Sequence, residues 1–262
     1  MIDWHLIKLG GSVITHPDHA DKFYAANVQR IAREIAAVSK PCILVHGTGH
    51  VGKPPAIEHG YADTGIISAN NTLLSVQVRL ELRHLHQHVL RVLLDAGIRA
   101  LPMDTATYFN DDGSDFRQPD LKDSLMQALE AGCVPVFHGD MVQLPDHRFA
   151  VVSSDAIMSV LARYLKPDTT LLLTDVDGVY ADAGDQSQQV IDTLTPANLK
   201  QMQQQASDQQ DVSGGMTGKV KHAMAMAAHC QRCIIANGLT EGVVLRLLEG
   251  ETGLGTRVLP EN

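Results

Sequence analysis

Short apolar runs alternate with longer amphipathic stretches along most of the chain. The apolar runs predict strands at residues 6–9, 42–45, 99–103, 134–138, 171–174 and 233–236. Between them, apolar residues recur with helical spacing and predict helices at 28–38, 70–96, 121–131, 155–165, 219–229 and 241–248. Strands that alternate with helices favour a parallel sheet that is covered on both faces. We therefore predict an α/β fold: an open, largely parallel sheet with helices on both faces, in three αβα layers.

One stretch departs from this alternation. Residues 182–212 are the most polar part of the chain, and their Gln- and Asp-rich centre at 201–210 has few large apolar side chains. We interpret this stretch as a mobile surface segment and not as a linker between domains. No shift in composition marks a domain boundary, so residues 1–262 are predicted to form a single domain.

The charge and composition of the chain exclude some partners. Its formal net charge is -9, and the Lys and Arg residues are scattered without forming a basic face. We therefore expect no binding to nucleic acid, and an anion site has to be built locally from backbone N–H groups and a few cations. We expect no signal peptide, because the chain starts without a basic n-region and with a predicted strand, and no membrane segment, because no apolar run is long enough. The four cysteines, mostly in apolar surroundings, are typical of a cytoplasmic protein.

Two glycine-rich segments directly follow the first two predicted strands. Residues 8–12 read Lys-Leu-Gly-Gly-Ser, and residues 46–53 read His-Gly-Thr-Gly-His-Val-Gly-Lys. Glycines let backbone N–H groups approach phosphate oxygens, and a nearby lysine neutralises the phosphate charge. Neither segment has P-loop spacing. The second matches the G-x-G-x-x-G of dinucleotide folds, but it follows the second strand and lacks the acidic residue expected about 20 positions later. A plain tight turn is the alternative for each segment.

Carboxylates and a second lysine follow the later predicted strands. Asp140 comes after the strand at 134–138, and Asp155 opens a predicted helix, so either is placed to orient the lysines or to hold Mg²⁺. Asp155 is alternatively only a helix N-cap. The strand at 171–174 leads into Asp-Val-Asp-Gly, which is an acidic site or merely an acidic turn. Residues 213–219, Ser-Gly-Gly-Met-Thr-Gly-Lys, form an anion site at a helix start or, alternatively, a flexible loop.

Taken together and in this order, the five segments resemble the amino-acid-kinase superfamily over nearly the whole chain. The resemblance is closest to isopentenyl phosphate kinases, with fosfomycin kinases as near relatives. Those families have a Lys-x-Gly-Gly-Ser start, a Val-Pro-Val-x-His-Gly-Asp strand, a Thr-Asp-Val-Asp-Gly-Val-Tyr strand and a Gly-Gly-Met-x-Gly-Lys helix start, all of which occur here. The resemblance implies a kinase that uses ATP and Mg²⁺ and moves the γ-phosphoryl group onto a small anionic acceptor.

The resemblance also implies roles for individual residues. Lys8 and Lys219 would neutralise the transferring phosphoryl group, and Asp155 would organise the lysines or the metal. The residues implied in nucleotide binding are Gly10, Gly11, Ser12, Thr174, Asp175, Asp177, Tyr180, Gly215 and Met216. Those implied at the acceptor are Gly47, Thr48, Gly49, His50, Lys53, Gly139 and Asp140. Residues 1–165 would then bind mainly the acceptor and residues 166–262 mainly the nucleotide. A homodimer is expected, because many superfamily members form one.

One position departs from the family pattern. In the related kinases the second glycine segment ends in Gly-His, and that histidine contacts the acceptor; here the position is Lys53, and a histidine, His50, stands earlier. Lysine is a permanent point charge, unlike a titrating imidazole. The acceptor is therefore open between isopentenyl phosphate or a similar monophosphate, a phosphonate, a carboxylate and a hydroxyl compound. A non-catalytic nucleotide- or oxyanion-binding protein is a further alternative, against which the presence of both Lys8 and Lys219 argues.

The acceptor pocket is predicted within residues 50–110, because the nucleotide side takes residues 174–219. Apolar residues recur along the long predicted helix: Leu73, Val76, Leu80 and Leu85. They form either a wall of that pocket or, alternatively, a stripe of core or dimer contact.

Overall fold

The computed structural model describes residues 3–19, 22–62, 64–111, 113–181, 189–199 and 214–261. Its strands are β1 (His5–Leu9), β2 (Cys42–His46), β3 (Ile66–Ile67), β4 (Ala100–Pro102), β5 (Val134–His138), β6 (Asp140–Gln143), β7 (Phe149–Val152), β8 (Thr169–Thr174), β9 (Thr193–Leu194), β10 (Arg232–Asn237) and β11 (Thr256–Val258). Its helices are α1 (Gly11–Ile14), α2 (Ala25–Val38), α3 (Gly49–Glu58), α4 (Thr72–Asp95), α5 (Thr105–Tyr108), α6 (Leu121–Glu130), α7 (Ser154–Leu165), α8 (Gly214–Ala227) and α9 (Val243–Leu248). The predicted strands are all present, with ends displaced by at most two residues.

The main sheet has eight strands in the order β4-β5-β2-β1-β8-β10-β11-β9. The central strand β1 pairs in parallel with β2 on one side and β8 on the other. The pairing of β10 with β11 is antiparallel, and the other pairings in this sheet are parallel. Every residue of β1 is buried, as expected for a strand that is covered on both faces.

Successive residues of the central strand point into two separate apolar cores. Leu6 belongs to the core that α6, α7 and α8 cover, whereas Ile7 belongs to the core that α2, α4 and α9 cover. Burial on both faces explains why the strands appear in the sequence as unbroken apolar runs. The predicted α/β fold, with a largely parallel sheet between two helical layers, is confirmed.

Helix α8 begins earlier than the sequence predicts. The predicted helix is 219–229, but the structure has Gly214–Ala227, so Lys219 lies in the second turn and not at the helix N-terminus. Glycine is a poor helix former, so the sequence predicts that the helix begins only after the glycines. Packing of α8 against α7 and β10 outweighs that local preference.

Two other elements near the carboxyl ends of the central strands were not predicted. Helix α3 begins inside the second glycine segment and contains Pro54 and Pro55, which disfavour a helix in the sequence. A second sheet, in the order β3-β7-β6, consists of strands of two to four residues, too short to show clear alternation. The β6–β7 hairpin follows β5 and contacts α4. Together with α3 and α4, this hairpin encloses a cavity.

Three sequence-based predictions concern the chain as a whole. Within the described residues, no helix combines the length and the apolar character needed to cross a membrane. Much of the predicted mobile segment, residues 182–188 and 200–212, lies outside the described residues. The four cysteines are free thiols.

Candidate active site

The carboxyl ends of four neighbouring parallel strands meet at one edge of the sheet. The first N–H group after three of these strands still bonds to the neighbouring strand: Gly10 N to Leu173 O (3.0 Å), Gly47 N to Leu9 O (2.9 Å) and Gly139 N to His46 O (3.0 Å). Beyond these bonds the chains separate into loops. This edge is where open α/β sheets bind their ligands, and it carries the glycine segments, Asp155 and the segment after β8.

The two glycine segments touch each other backbone to backbone. A Cβ atom on Gly11 would overlap the backbone nitrogen of Gly49, and a Cβ on Gly49 would lie 2.5 Å from the carbonyl oxygen of Gly11. Gly49 also has a positive φ of 47°, which other residues rarely adopt. The Thr15 hydroxyl donates to Gly11 O (2.7 Å) and accepts the His50 N–H (3.0 Å), which ties the segments together. Glycine is therefore required here for close approach.

Four backbone N–H groups of these segments have no acceptor in the described part of the chain; they belong to Gly11, Ser12, Thr48 and Gly49. They stand at the start of α1 and α3, where the first N–H groups of a helix lack an intrahelical acceptor. Clustered unpaired N–H groups form a concave site for anions, and phosphate oxygens are their usual partners. Of the glycines predicted to present N–H groups to phosphate, Gly11 and Gly49 have theirs unpaired in the described structure, whereas those of Gly10 and Gly47 bond to the neighbouring strands.

A buried ion pair lies beside the first glycine segment. The Lys8 ammonium is 2.6 Å from the Asp155 carboxylate, and the two side chains are 6% and 22% exposed. Lys8 comes from the central strand β1, whereas Asp155 lies in the first turn of α7, where a negative charge is favoured. Ser153 is the residue that caps α7, through its bond to the Ala156 N–H (3.1 Å). Asp155 is therefore free to hold the lysine.

Lys219 reaches the same edge from α8. Its ammonium donates to the Thr174 hydroxyl at the end of β8 (2.9 Å). Burial, and then the positive charge of Lys8, lower the pKa of Lys219, and Lys53 acts in the same direction. Burial alone would raise the pKa of the Asp175 carboxyl, but hydrogen bonds from Ser12 and other groups lower it. Several cations are thus held close together, an arrangement that a bound polyanion stabilises.

A cavity of about 170 Å³ lies next to this edge. Its polar lining is Thr48, Gly52, Lys53, Gly139, Asp140, Ser153 and Ser154. Its apolar lining is Ala56, Tyr61, Val78, Leu82, Met141, Val151 and Val152. The cavity therefore suits a small molecule that has an anionic group on a short apolar body.

The pocket prediction from the sequence was only partly right. Residues 50–110 supply one wall, but the other wall comes from the β6–β7 hairpin and the start of α7. On α4 the lining residues are Val78 and Leu82, one turn apart. The predicted Leu73, Val76 and Leu80 are instead 71%, 55% and 52% exposed. Leu85 is buried in the core between α4 and the main sheet.

Asp140 and His50, both predicted at the acceptor, differ in their relation to the cavity. Asp140 lines it, with its fully buried carboxylate 3.6 Å from Arg79 of α4, while Asp155 is the acid that pairs with Lys8. His50 lies at the start of α3 and is absent from the cavity lining, whereas Lys53 is part of it. Lys53 is therefore the cation of the second glycine segment that reaches the acceptor space.

The remaining predicted residues surround the end of β8. Asp177 accepts a hydrogen bond from the Asn237 side chain (2.8 Å), and Tyr180 forms an isolated antiparallel bridge with Val190. Gly215 and Met216 lie in the first turn of α8. Asp177 and Tyr180 thus follow β8 in the chain, and Gly215 and Met216 lie on the same helix as Lys219.

Sequence reasoning missed His222, which lies one turn after Lys219 on α8. Its Nδ1 is 2.9 Å from the Ser159 hydroxyl, and that hydroxyl donates to the Asp155 carbonyl (3.0 Å). Burial lowers the pKa of His222, and the charges of Asp155 and Lys8 act on it with opposite sign. The spacing from Lys219 was the signal that would have placed His222 near the same edge.

Ammonium groups, unpaired N–H groups and a paired carboxylate thus converge beside a cavity with one charged and one apolar end. Phosphoryl transfer requires positioning and charge neutralisation more than covalent chemistry. The fold and the site define a phosphotransferase.

Comparison with known proteins gives the family. The family model described as amino acid kinase family matches residues 3–237, and the chain belongs to this family. It is 32% identical to an isopentenyl phosphate kinase of Methanothermobacter thermautotrophicus, a match that covers 97% of this chain and 98% of the relative. A Haloferax volcanii isopentenyl phosphate kinase is 31% identical over 85% of this chain and 88% of the relative. A solved isopentenyl phosphate kinase superposes with a TM-score of 0.80 at 29% identity, and covers 97% of this chain and 99% of its own.

Proposed function

We propose that this enzyme transfers the γ-phosphoryl group of ATP to isopentenyl phosphate or a similar short-chain monophosphate. The observation that carries the proposal is the cavity of about 170 Å³, with Lys53 and Thr48 at its polar end and Val78 and Leu82 in its apolar wall. The phosphate of such a molecule would meet the polar end of the cavity, and its small hydrocarbon body would meet the apolar wall. The similarity to isopentenyl phosphate kinases over 97% of the chain supports the same acceptor.

The side chains match what the reaction requires. An oxygen of the acceptor phosphate attacks the γ-phosphorus of ATP, the bond to the β,γ-bridging oxygen breaks, and ADP and a diphosphate are formed. The attacking oxygen is already anionic, so no base has to remove a proton. The difficulty lies in bringing two anions together. Lys8, Lys219 and Lys53 counter that repulsion, and Asp155 holds Lys8 in place.

The nucleotide is assigned to the side of β8 and α8, and the acceptor to the cavity. Unpaired N–H groups at Gly11 and Ser12, with Lys8 and Lys219, suit a polyphosphate. This agrees with an acceptor-binding part in residues 1–165 and a nucleotide-binding part in residues 166–262, with the first glycine segment between them.

A magnesium ion would be held mainly by the phosphates. The described residues contain no group of three or more His, Cys, Asp or Glu placed to hold a metal ion. Mg²⁺ commonly keeps several waters and binds one or two carboxylates together with substrate phosphates. Asp155 and Asp175 are the carboxylates nearest the lysines, so the site fits an ion that arrives with ATP. Its contribution would be to neutralise phosphate charge.

Lys53 replaces the histidine with which the related kinases contact the acceptor. It is exposed at the mouth of the cavity, and its charge reaches Lys219. Its ammonium would bind the acceptor phosphate as a compact point donor on a flexible stem, unlike the planar imidazole that it replaces. A phosphonate or carboxylate acceptor is the second candidate, favoured by this same replacement.

The test is ADP release from Mg-ATP with a panel of isopentenyl phosphate, dimethylallyl phosphate, fosfomycin and N-acetylglutamate. We expect the highest kcat/KM for isopentenyl phosphate. Turnover of fosfomycin or N-acetylglutamate alone would move the acceptor to a phosphonate or a carboxylate. No turnover with ATP still bound would favour a protein that only binds nucleotide or oxyanions.

Two further proposals concern the cellular location and the oligomeric state of the protein. Four free thiols support a cytoplasmic location. Exposed Leu73, Val76 and Leu80 form a stripe on α4 that supports a homodimer, because such apolar stripes often cover an interface. Light scattering of the purified chain checks the second point.

A further inference from the structure

Three histidines are buried together behind the acceptor edge. His46 ends β2, His138 ends β5 and His86 projects from α4, and they are 1%, 1% and 7% exposed. The ring centroids are 5.2 Å apart for His46 and His86, 5.5 Å for His46 and His138, and 4.5 Å for His86 and His138. Burial, and then repulsion from a neighbouring ring, lower the pKa of His46 to about 3 and that of His86 to about 2. The rings are therefore neutral near pH 7.

The hydrogen-bond partners assign the tautomers of two of these rings. His46 Nδ1 lies 2.9 Å from the carbonyl oxygen of Gly47, which can only accept, so Nδ1 carries the proton. The other nitrogen of a neutral imidazole is then an acceptor. His46 Nε2 lies 2.9 Å from His86 Nδ1, so His86 Nδ1–H donates to His46. The result is a directional chain from His86 to His46 to the Gly47 carbonyl.

This chain ends on a peptide group at the acceptor cavity. The peptide between Gly47 and Thr48 is trans, so its C=O and N–H point in opposite directions. The histidine ring holds the carbonyl inward, and the Thr48 N–H therefore points away from the buried rings. That N–H has no acceptor in the described part of the chain, and Thr48 lines the cavity. Without the histidines, a peptide that follows glycine has more freedom to rotate.

We propose that His86 is a positioning residue for the acceptor: through His46, it fixes the Gly47–Thr48 peptide so that the Thr48 N–H faces the acceptor phosphate. His86 is absent from the cavity lining and lies on α4, outside the glycine segments. The proposal rests on the proposed function for the identity of the acceptor, but the hydrogen-bond chain exists without it. Two measurements test the hydrogen-bond chain and the identity of the acceptor separately.

The kinetic measurement compares two substitutions of His86. His86→Leu removes the donor and keeps an apolar body, whereas His86→Asn keeps an N–H close to the position of Nδ1. Loss of one oriented hydrogen bond to a charged phosphate should raise the acceptor KM about 10-fold in the Leu variant, with the ATP KM changed less than about 2-fold. The Asn variant should recover most of the loss. His84→Leu, exposed on the same helix, should behave as wild type.

Equal losses in the Leu and Asn variants, or an unchanged acceptor KM in the Leu variant, would overturn the proposal. The second measurement needs no acceptor: nitrogen NMR of labelled imidazoles distinguishes a proton on Nδ1 from one on Nε2. We expect His46 to be the Nδ1–H tautomer in the wild-type enzyme and a perturbed His46 signal in the Leu variant. An Nε2–H tautomer for His46 would overturn the hydrogen-bond chain. If no panel compound is turned over while the Nδ1–H tautomer is seen, the proposed function fails and the positioning chain stands.

Discussion

Lys8 and Asp155 are joined by a 2.6 Å ion pair that links the central strand β1 to the first turn of α7. The pair fixes the Lys8 ammonium between the first glycine segment and the acceptor cavity. Because Lys8 is only 6% exposed, its charge depends on this carboxylate when no substrate phosphate is bound.

Asp155→Asn should impair both catalysis and stability. The lysine then loses its anchor, and we expect kcat/KM to fall about 100-fold. The free energy of unfolding should fall by about 1–3 kcal/mol, less than for a fully buried pair, because Asp155 is 22% exposed. Urea denaturation and steady-state kinetics measure the two effects. Asp146→Asn, which removes a surface pair with Arg148, is the control and should change stability by less than about 0.5 kcal/mol.

Lys219→Ala should reduce turnover far more than nucleotide affinity. Under the proposed function its ammonium would stabilise charge that develops on the transferring group, so we expect kcat to fall about 100- to 1,000-fold while the Kd of ATP rises less than about 10-fold. Rapid-quench kinetics and calorimetry measure these quantities. Lys221→Ala, exposed on the same helix, is the matched control. An equal fall in turnover and affinity would mean that Lys219 only binds.

Lys53→Ala should act on the acceptor and not on ATP. Removing the cation at the cavity mouth should raise the acceptor KM about 10-fold or more, with little change in the ATP KM. Lys53→His should restore binding below pH about 6.5, where imidazole is charged, and lose it above. A pH series of kcat/KM for both variants checks this. If the His variant shows the wild-type pH profile, Lys53 does not contact the acceptor phosphate.

Leu82→Ala should lengthen the apolar end of the acceptor cavity. We expect the ratio of kcat/KM for a longer-chain monophosphate over isopentenyl phosphate to rise about 10-fold, because each added methylene gains contact in the new space. The same change should lower the free energy of unfolding by about 2–4 kcal/mol, since Leu82 is buried. Leu94→Ala, at an exposed position of α4 outside the cavity lining and the proposed dimer stripe, should change neither the ratio nor the stability appreciably.

Stability should decrease as the pH falls from about 6.5 to 4. Burial first, and neighbouring charges second, lower the pKa of His5 from 6.5 to about 4, and His46 and His86 are lowered further. Below pH 6.5 the unfolded chain binds protons that the folded chain cannot, so unfolding becomes easier. At pH 5 the loss should be about 2 kcal/mol for each of these histidines.

The midpoints of urea denaturation, recorded between pH 4.5 and 7.5, measure how steeply the stability depends on pH. His5→Leu should flatten it and should stabilise the fold near neutral pH, because neither ring nitrogen of buried His5 has a hydrogen-bond partner in the described structure. A slope that is the same in both proteins would contradict the assignment to His5.

The ends of the long strands were predictable, because in each case an apolar run is followed by a glycine or an acidic residue. In the structure, Lys8, Asp155 and Thr174 therefore lie near one another, as their positions at strand ends and at a helix start imply. The start of α8 was not predictable in this way. Its glycines are poor helix formers, and the packing that overrides them comes from α7 and β10, which are distant in the sequence.

The sequence left Leu73, Val76, Leu80 and Leu85 open between a wall of the acceptor cavity and a stripe of core or dimer contact, and the cavity uses Val78 and Leu82 instead. This helix has apolar residues on several sides, so helical spacing alone does not tell which side meets the cavity. The answer depends on Met141 and Val152 in the β6–β7 hairpin, whose short strands leave a weak signal in the sequence. The hairpin also explains why Asp140, adjacent to the glycine after β5, faces Arg79 and not Lys8.

The direct contact between Gly11 and Gly49 sets the distance between the donor and acceptor sides without any side chain. Because neither position has room for a substituent, this spacing stays constant when the residues around the cavity change. Under the proposed function, recognition and reaction would use separate groups: side chains on α3, α4 and the β6–β7 hairpin would choose the molecule, while the backbones of Gly11 and Gly49 would set how far the phosphoryl group travels. New acceptors would then be accessible by changing those side chains alone, with the reacting geometry inherited intact.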